Sequence, residues 1–472
     1  MSALFRRIFR FFTPEGMLGK NEALGELDST KKVYLSFAMM AWPAMAESML
    51  TALTGFVDTA MVGGIGDSAI TAVGITNQPR LLFWSFFSTL NLGVLAVVAR
   101  KKGEGDREAA NTVLHKALLV CAVLAVLVFA VSVTFAEPLL IFAGAESDII
   151  ADSVGYYRVV MAGLCLYSFG LCINAAQRGT SNTRIAFASS ATMNVVNVIL
   201  NFILIEGRFG APALGVKGAA IATLCGNIAG VIVSLISLLR KNGYLRLRLR
   251  HFFVKGSRAF NMIWQVSSGA AMEQLLIRIG FFMFAKIVAD LGTESFAAHQ
   301  IGMNIVALSF ACGDGLGVAA SALVGQNLGA KRPDLSIIYG KAGQRLGFFF
   351  SAVLFAVFTL FPGQIIGIFT DTPRVVGLAR GIMVFIALTS ITQISQVIFS
   401  GCLRGAGDTR YMAVASFVSI VLVRPLLCYI FCFVCGFDVV GAWVALFIDQ
   451  STRCILSSVR FVRGKWTKIK IG

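Results

Sequence analysis

Hydrophobic and polar residues along this chain separate into long blocks rather than alternating within a turn. Apolar runs with almost no charge, such as 118–135, 193–205, 348–361 and 412–429, are divided by short polar gaps. A helix needs roughly 17 to 25 mostly apolar residues to cross a bilayer. Twelve such segments can be drawn: 33–61, 70–99, 112–135, 153–175, 184–206, 213–239, 259–289, 294–324, 338–361, 376–400, 411–435 and 438–460. The pattern predicts an all-α membrane protein with twelve transmembrane helices.

Composition agrees, with 57% hydrophobic and 14% charged residues and a mean hydropathy of +0.79 over 472 residues. A soluble chain carries about a quarter charged residues. The net charge of +17 does not indicate nucleic acid, because the basic residues sit between the apolar runs. The alternate gaps that include both termini, counted with Arg184 and Lys341 at the adjoining span ends, hold 28 Lys and Arg, and the opposite gaps, counted with Lys217, hold 3. Basic residues stay on the cytoplasmic side of a membrane, so both termini are placed in the cytoplasm. An odd number of spans would scramble that bias. The implied location is a bacterial-type cell membrane.

The chain is also repeated. The register that sets Arg178-Gly-Thr-Ser-Asn-Thr-Arg184 on Arg404-Gly-Ala-Gly-Asp-Thr-Arg410 also sets Gly103 on Gly329 and Glu47 on Glu273. Near the ends of the halves, Val216-Lys-Gly-Ala219 falls on Val439-Val-Gly-Ala442 in a shorter register, which implies a three-residue deletion. Six spans return the chain to the side where it began, so the halves are parallel repeats related by a pseudo-twofold along the membrane normal. The expected organisation is a basic N-terminal segment (1–32), an N-lobe (33–239), a cytoplasmic linker (240–258) with seven basic residues, a C-lobe (259–460) and a tail (461–472). Two lobes flanking a cleft suit alternating access. In the first segment Phe5, Phe9 and Phe12 recur at helical spacing among Arg6, Arg7 and Arg10, the pattern either of a helix on the membrane surface or of a disordered basic tail.

Ionisable residues inside a span are costly and mark candidate function. They are Glu47 and Asp58 in span one, Glu273 and Arg278 in span seven, Asp314 in span eight, Arg424 in span eleven, and Asp449 and Arg453 in span twelve. Symmetry places Glu47 and Glu273 at equal depth on the first helix of each lobe. There they would either meet a cationic substrate or a proton in the cleft, or pair with Arg278 or a backbone group. Asp58 lies about 16 Å further along its helix, on the same face as Glu47. Asn197 and Asn201, one turn apart on span five, and Thr223 on span six would either add oxygens for H⁺ or Na⁺ beside it or serve helix packing. Asp449 and Arg453, at i and i+4, are expected to pair. Phe281, Phe282 and Met283 are candidate linings of the cleft.

Other chemistry is thinly represented. The chain has three histidines, and its one CxxC, Cys432-Phe-Val-Cys435, falls within an apolar span. No metal site is expected beyond Na⁺ at Asp58, Asn197 and Asn201, and no cofactor. The sequence has no HExxH, no GxSxG and no close pair of intramembrane aspartates, so an intramembrane enzyme is not expected. Partners reduce to small organic substrates and membrane lipids, with no nucleic acid, for a monomer. A flippase or exporter of a lipid-linked or anionic metabolite on the same fold is the alternative, with Arg278 and Arg424 as phosphate ligands.

Together these segments make the chain resemble the MATE (multidrug and toxic compound extrusion) family over about residues 33–460. The signals are Trp42-Pro43, Val57-Asp-Thr-Ala-Met-Val-Gly63, Leu323-Val-Gly-Gln-Asn-Leu-Gly329, the Arg178 and Arg404 motifs, and Gly215-Val-Lys-Gly-Ala-Ala220. The resemblance implies a V-shaped twelve-helix antiporter that exports drug-like, often cationic compounds. It implies a coupling-cation site at Asp58 with Asn197, Asn201 and Thr223, or at Glu273 in the C-lobe. This sequence departs from the pattern twice: Asn201 replaces a frequent Asp, and Gln393 stands where a C-lobe Asp is expected.

Overall fold

The computed structural model describes residues 10–18, 23–64, 67–145, 149–254 and 257–471, and these are almost entirely helical. Twelve long helices follow in order: α1 (Thr30–Gly63), α2 (Asp67–Gly103), α3 (Arg107–Thr134), α4 (Ile150–Gly179), α5 (Thr183–Leu204), α6 (Gly215–Leu239), α7 (Ala259–Ala289), α8 (Thr293–Gly329), α9 (Pro333–Leu360), α10 (Pro373–Gly405), α11 (Thr409–Val434) and α12 (Asp438–Val462). Each coincides with a segment read from the sequence. Ten are long and apolar enough to cross a membrane. The other two, α1 and α7, open the two halves and carry Glu47 with Asp58 and Glu273 with Arg278.

Local chemistry sets the ends. Asp106 caps α3 by accepting from the Ala109 amide at 2.8 Å, satisfying a donor that the first turn leaves unbonded. Pro333 and Pro373 begin α9 and α10, where a missing N–H costs nothing. Helix α11 is irregular, with π-turns at Phe417–Val423 and Ile430–Val434 on either side of Arg424-Pro425. There the Arg424 amide reaches back to the Ser419 carbonyl, a wider turn that accommodates the proline ring.

The described residues form two compact units, Ala46–Ser267 and, joined to the chain before Ala46, Ser268–Ile471. Within each unit the fourth helix of the six is central: α4 packs on α2 and α6, and α10 packs on α8 and α12. Short helices Ala136–Phe142 and Pro362–Gly367 follow the third helix of each set, and the register that sets Arg178 on Arg404 also sets their first residues on one another.

The close packing of these central helices depends on glycine. A Cβ on Gly405 of α10 would lie 2.1 Å from the Ser321 carbonyl oxygen of α8, and one on Gly179 of α4 would lie 2.8 Å from the Leu95 carbonyl oxygen of α2. Small residues bring membrane helices together this way. Gly405→Ala therefore forces two backbones apart and is expected to cost roughly 1–3 kcal/mol, with Gly179→Ala costing less. Melting of the purified protein in detergent reads the order directly. A Gly405→Ala protein as stable as the parent would exclude this contact.

Most of the segment read as a surface helix, including Phe5, Arg6, Arg7 and Phe9, lies outside the described residues. The part that follows folds onto the second unit. Met17 is fully buried and its carbonyl accepts from Lys341 Nζ of α9 at 2.5 Å, while the Arg345 guanidinium lies 4.1 Å from the Phe11 ring. Leu24 and Glu26 hold the α8–α9 turn through Asp334 and Arg332.

Candidate functional site

In the first unit, glycines draw α5 and α6 together. A Cβ on Gly226 would lie 2.7 Å from the Met193 carbonyl oxygen and 3.1 Å from Asn197 Cβ. That approach sets Thr223 of α6 against Asn197 of α5. Asn201 follows one turn later, so both amides share the helix face that meets Asp58 of α1. Asn201 Nδ2 donates to Asp58 Oδ1 at 2.7 Å. With its amide oriented to satisfy both ends, Asn197 donates to the same oxygen at 2.8 Å and accepts from Thr223 Oγ1 at 3.2 Å. The four residues read from the sequence as one group therefore form one hydrogen-bonded cluster.

This cluster is incomplete in an informative way. Among the described residues no basic side chain forms an ion pair with Asp58. Arg80 of α2 is near enough for its charge to act on the carboxylate, yet it donates to Asn77 Oδ1 at 2.8 Å instead. Asn201 is almost fully buried, and its Oδ1 has no donor. A carboxylate held by neutral amides beside an unbonded buried carbonyl oxygen is a set of hard oxygen ligands, suited to a proton or a small cation.

Three other intramembrane carboxylates, Glu47, Glu273 and Asp449, are neutralised. Glu47 of α1 accepts from Arg178 Nη2 of α4. At the repeat position Glu273 of α7, fully buried, accepts from Arg404 Nη2 at 2.6 Å and Nε at 3.2 Å. The partner in both halves is thus the arginine that opens the repeated motif, and not Arg278. Sequence reasoning names both arginines and both glutamates without joining them. The signal is present in the chain, because the acids and the bases repeat in the same register. Arg80, a single arginine within span 70–99, was missed outright.

The expected Asp449–Arg453 pair on α12 does not form. Arg424 of α11 places Nε at 2.9 Å, together with Nη2, on Asp449 Oδ2, and Ser419 Oγ donates to Oδ1. The guanidinium thus engages one carboxylate oxygen and the hydroxyl the other, and Arg453 donates instead to Gln450 Oε1 at 3.0 Å. Arg424 also lies over the Phe281 ring, 4.5 Å from its centroid. Phe282 and Met283 are exposed. Gln393 is fully buried, and neither of its amide atoms has a partner.

The repeat does not preserve the Asp58 cluster. In the register that sets Glu47 on Glu273, Asp58, Asn197 and Asn201 correspond to Phe284, Val423 and Leu427. In the shorter register that sets Val216 on Val439, Thr223 corresponds to Leu446. Phe284 and Leu446 are buried in one hydrophobic core, with Leu427 packed against it. The second unit has apolar packing where the first has its polar cluster.

Known proteins extend the picture. The MatE family model matches twice, over residues 43–203 and 270–430. The "Probable multidrug resistance protein NorM" of Thermotoga maritima is 29% identical, covering 91% of this chain and 92% of that protein. The "Multidrug resistance protein NorM" of Vibrio cholerae is 27% identical over 82% of this chain and 85% of its own. Among solved structures, one described as the outward-facing conformation of a multidrug resistance MATE family transporter of the MOP superfamily superposes with a TM-score of 0.86. It is 20% identical and covers 92% of this chain and 97% of that one.

Proposed function

The chain belongs to the MATE family of multidrug efflux transporters, and from that premise we propose that it is a secondary antiporter exporting small organic, cationic, drug-like compounds in exchange for H⁺ or Na⁺. The cytoplasmic placement of both termini belongs to the same reading and is supported by the 28-to-3 bias of basic residues. The observation that carries the proposal is the state of Asp58: an intramembrane carboxylate on neutral amide donors, next to the unbonded Asn201 oxygen.

An ion arriving there binds whichever arrangement of the transporter presents these oxygens best, and shifts the population by that difference in affinity alone. Substrate favours the other arrangement, which is alternating access expressed as linkage. Glu47 and Glu273, each already matched by an arginine, then serve to hold their helices. The apolar residues at the repeat positions favour coupling through the first unit.

The test is efflux of a panel of cationic dyes from membrane vesicles energised separately by a Na⁺ gradient and by a pH gradient. One gradient is expected to drive export and the other to have no effect. Efflux that persists unchanged after both are collapsed would end the antiport reading.

A further inference from the structure

Away from the membrane-spanning cluster, the linker after α6 builds a basic basin on the first turns of α3. The chain runs Leu245-Arg-Leu-Arg-Leu-Arg250 and is clamped to α3 by backbone contacts. Arg246 N donates to Asn111 Oδ1 at 2.7 Å, Arg248 N to His115 Nε2 at 3.0 Å, and Lys116 Nζ to the Phe252 carbonyl at 2.8 Å. Arg107 of α3 closes the other side by donating from Nε to the Tyr244 carbonyl at 2.9 Å. The result is a cavity lined by Arg107, Glu108, Asn111, Arg246, Arg248 and His251.

Its charge is unbalanced. Glu108 is the acid in the lining, and it is shared among Arg250 at 2.8 Å, His251 at 3.5 Å and Arg248 at 3.8 Å. Burial holds the His251 imidazole below its usual range, so at neutral pH it acts as an uncharged wall. Arg107 stands in the first turn of a helix, where the backbone dipole already favours an anion. Arg246 Nε is buried with no acceptor. A donor in that position lacks an acceptor that an anionic oxygen entering the basin would supply.

Large apolar side chains stand exposed beside it. Leu249 is 76% and Phe253 79% exposed, with Leu247 at 38%. Arginines alternating with unburied leucines next to a membrane helix form an interfacial element, with the apolar side chains in the acyl region and the cations at headgroup level. A soluble anion would explain the arginines but leave Leu249 and Phe253 in water.

We propose that this basin binds the phosphate of an anionic phospholipid headgroup in the cytoplasmic leaflet, through Arg107, Arg246 and Arg248, with Leu249 and Phe253 against the acyl chains. Native mass spectrometry of the full-length protein, equilibrated in detergent with equal amounts of phosphatidylglycerol and phosphatidylcholine, tests it. One phosphatidylglycerol is expected to be retained in preference to phosphatidylcholine. Arg246→Gln and Arg248→Gln should each weaken that retention about fivefold. Lys241→Gln removes the same charge from the same linker outside the basin and should leave retention unchanged. Arg248 is exposed, so its variant reads out binding even if Arg246→Gln fails to fold. Equal retention of the two lipids, or equal loss in all three variants, overturns the proposal. So does inorganic phosphate that displaces the lipid and is itself retained one per protein, since the occupant would then be a soluble phosphate.

Discussion

Asp58→Asn is expected to reduce gradient-driven efflux to the level of vesicles lacking the transporter, a fall of at least about tenfold, while the protein stays folded in the membrane. The substitution keeps the shape of the side chain and an oxygen able to accept from Asn197 and Asn201, and removes only the charge. Packing is preserved, whereas the differential affinity that an exchanged ion supplies is lost. Moving a two-state equilibrium from 1:99 to 99:1 takes roughly a 10⁴-fold difference in affinity, which four neutral oxygens do not provide. Asn201→Ala should act in the same direction more weakly, since Asp58 keeps the Asn197 donor. Ion-driven efflux at the parental rate in the Asp58→Asn protein would remove this carboxylate from the mechanism.

The second large effect is on stability. Arg424 and Asp449 are both 0% exposed, whereas Arg178 and Glu47 retain 20% and 10%. The former pair is therefore sealed and the latter partly accessible. Arg424→Leu strips a sealed carboxylate of its counter-charge, a loss of about 3–5 kcal/mol when one partner of a buried pair is removed. The expected outcome is a sharp drop in folded yield and in melting temperature. Arg424→Leu combined with Asp449→Leu should recover most of both, because replacing a buried pair by apolar side chains is often neutral. A single Arg424→Leu variant as stable as the parent would show that Asp449 has another partner.

The helices were legible because hydrophobic length and the placement of Lys and Arg are properties of the chain alone. Even α1 and α7, with charges in their middle, were found through the regularity of their neighbours. The duplication was legible from Arg178 and Arg404, Glu47 and Glu273, and the Asp58 cluster from polar residues spaced by one turn. Side-chain pairing was less accessible. Whether Asp449 meets Arg453 four residues on or Arg424 on the adjoining helix depends on how α11 is rotated, and that rotation follows from π-turns that spacing does not announce. Glu273 also has a distant partner, 131 residues away, to which the repeated register of acids and bases is the pointer.

The duplicated scaffold with chemistry in one copy has a thermodynamic consequence. On the antiport reading proposed above, one carboxylate, with Phe284 where its twin would stand, carries one monovalent ion per cycle through this site. Each tenfold ion gradient holds about 1.4 kcal/mol, so for a cation swapped one for one it sustains at most a tenfold ratio of exported compound. Such a pump trades steepness for simplicity. On that reading the exported compound is kept dilute inside the cell and is not concentrated strongly outside.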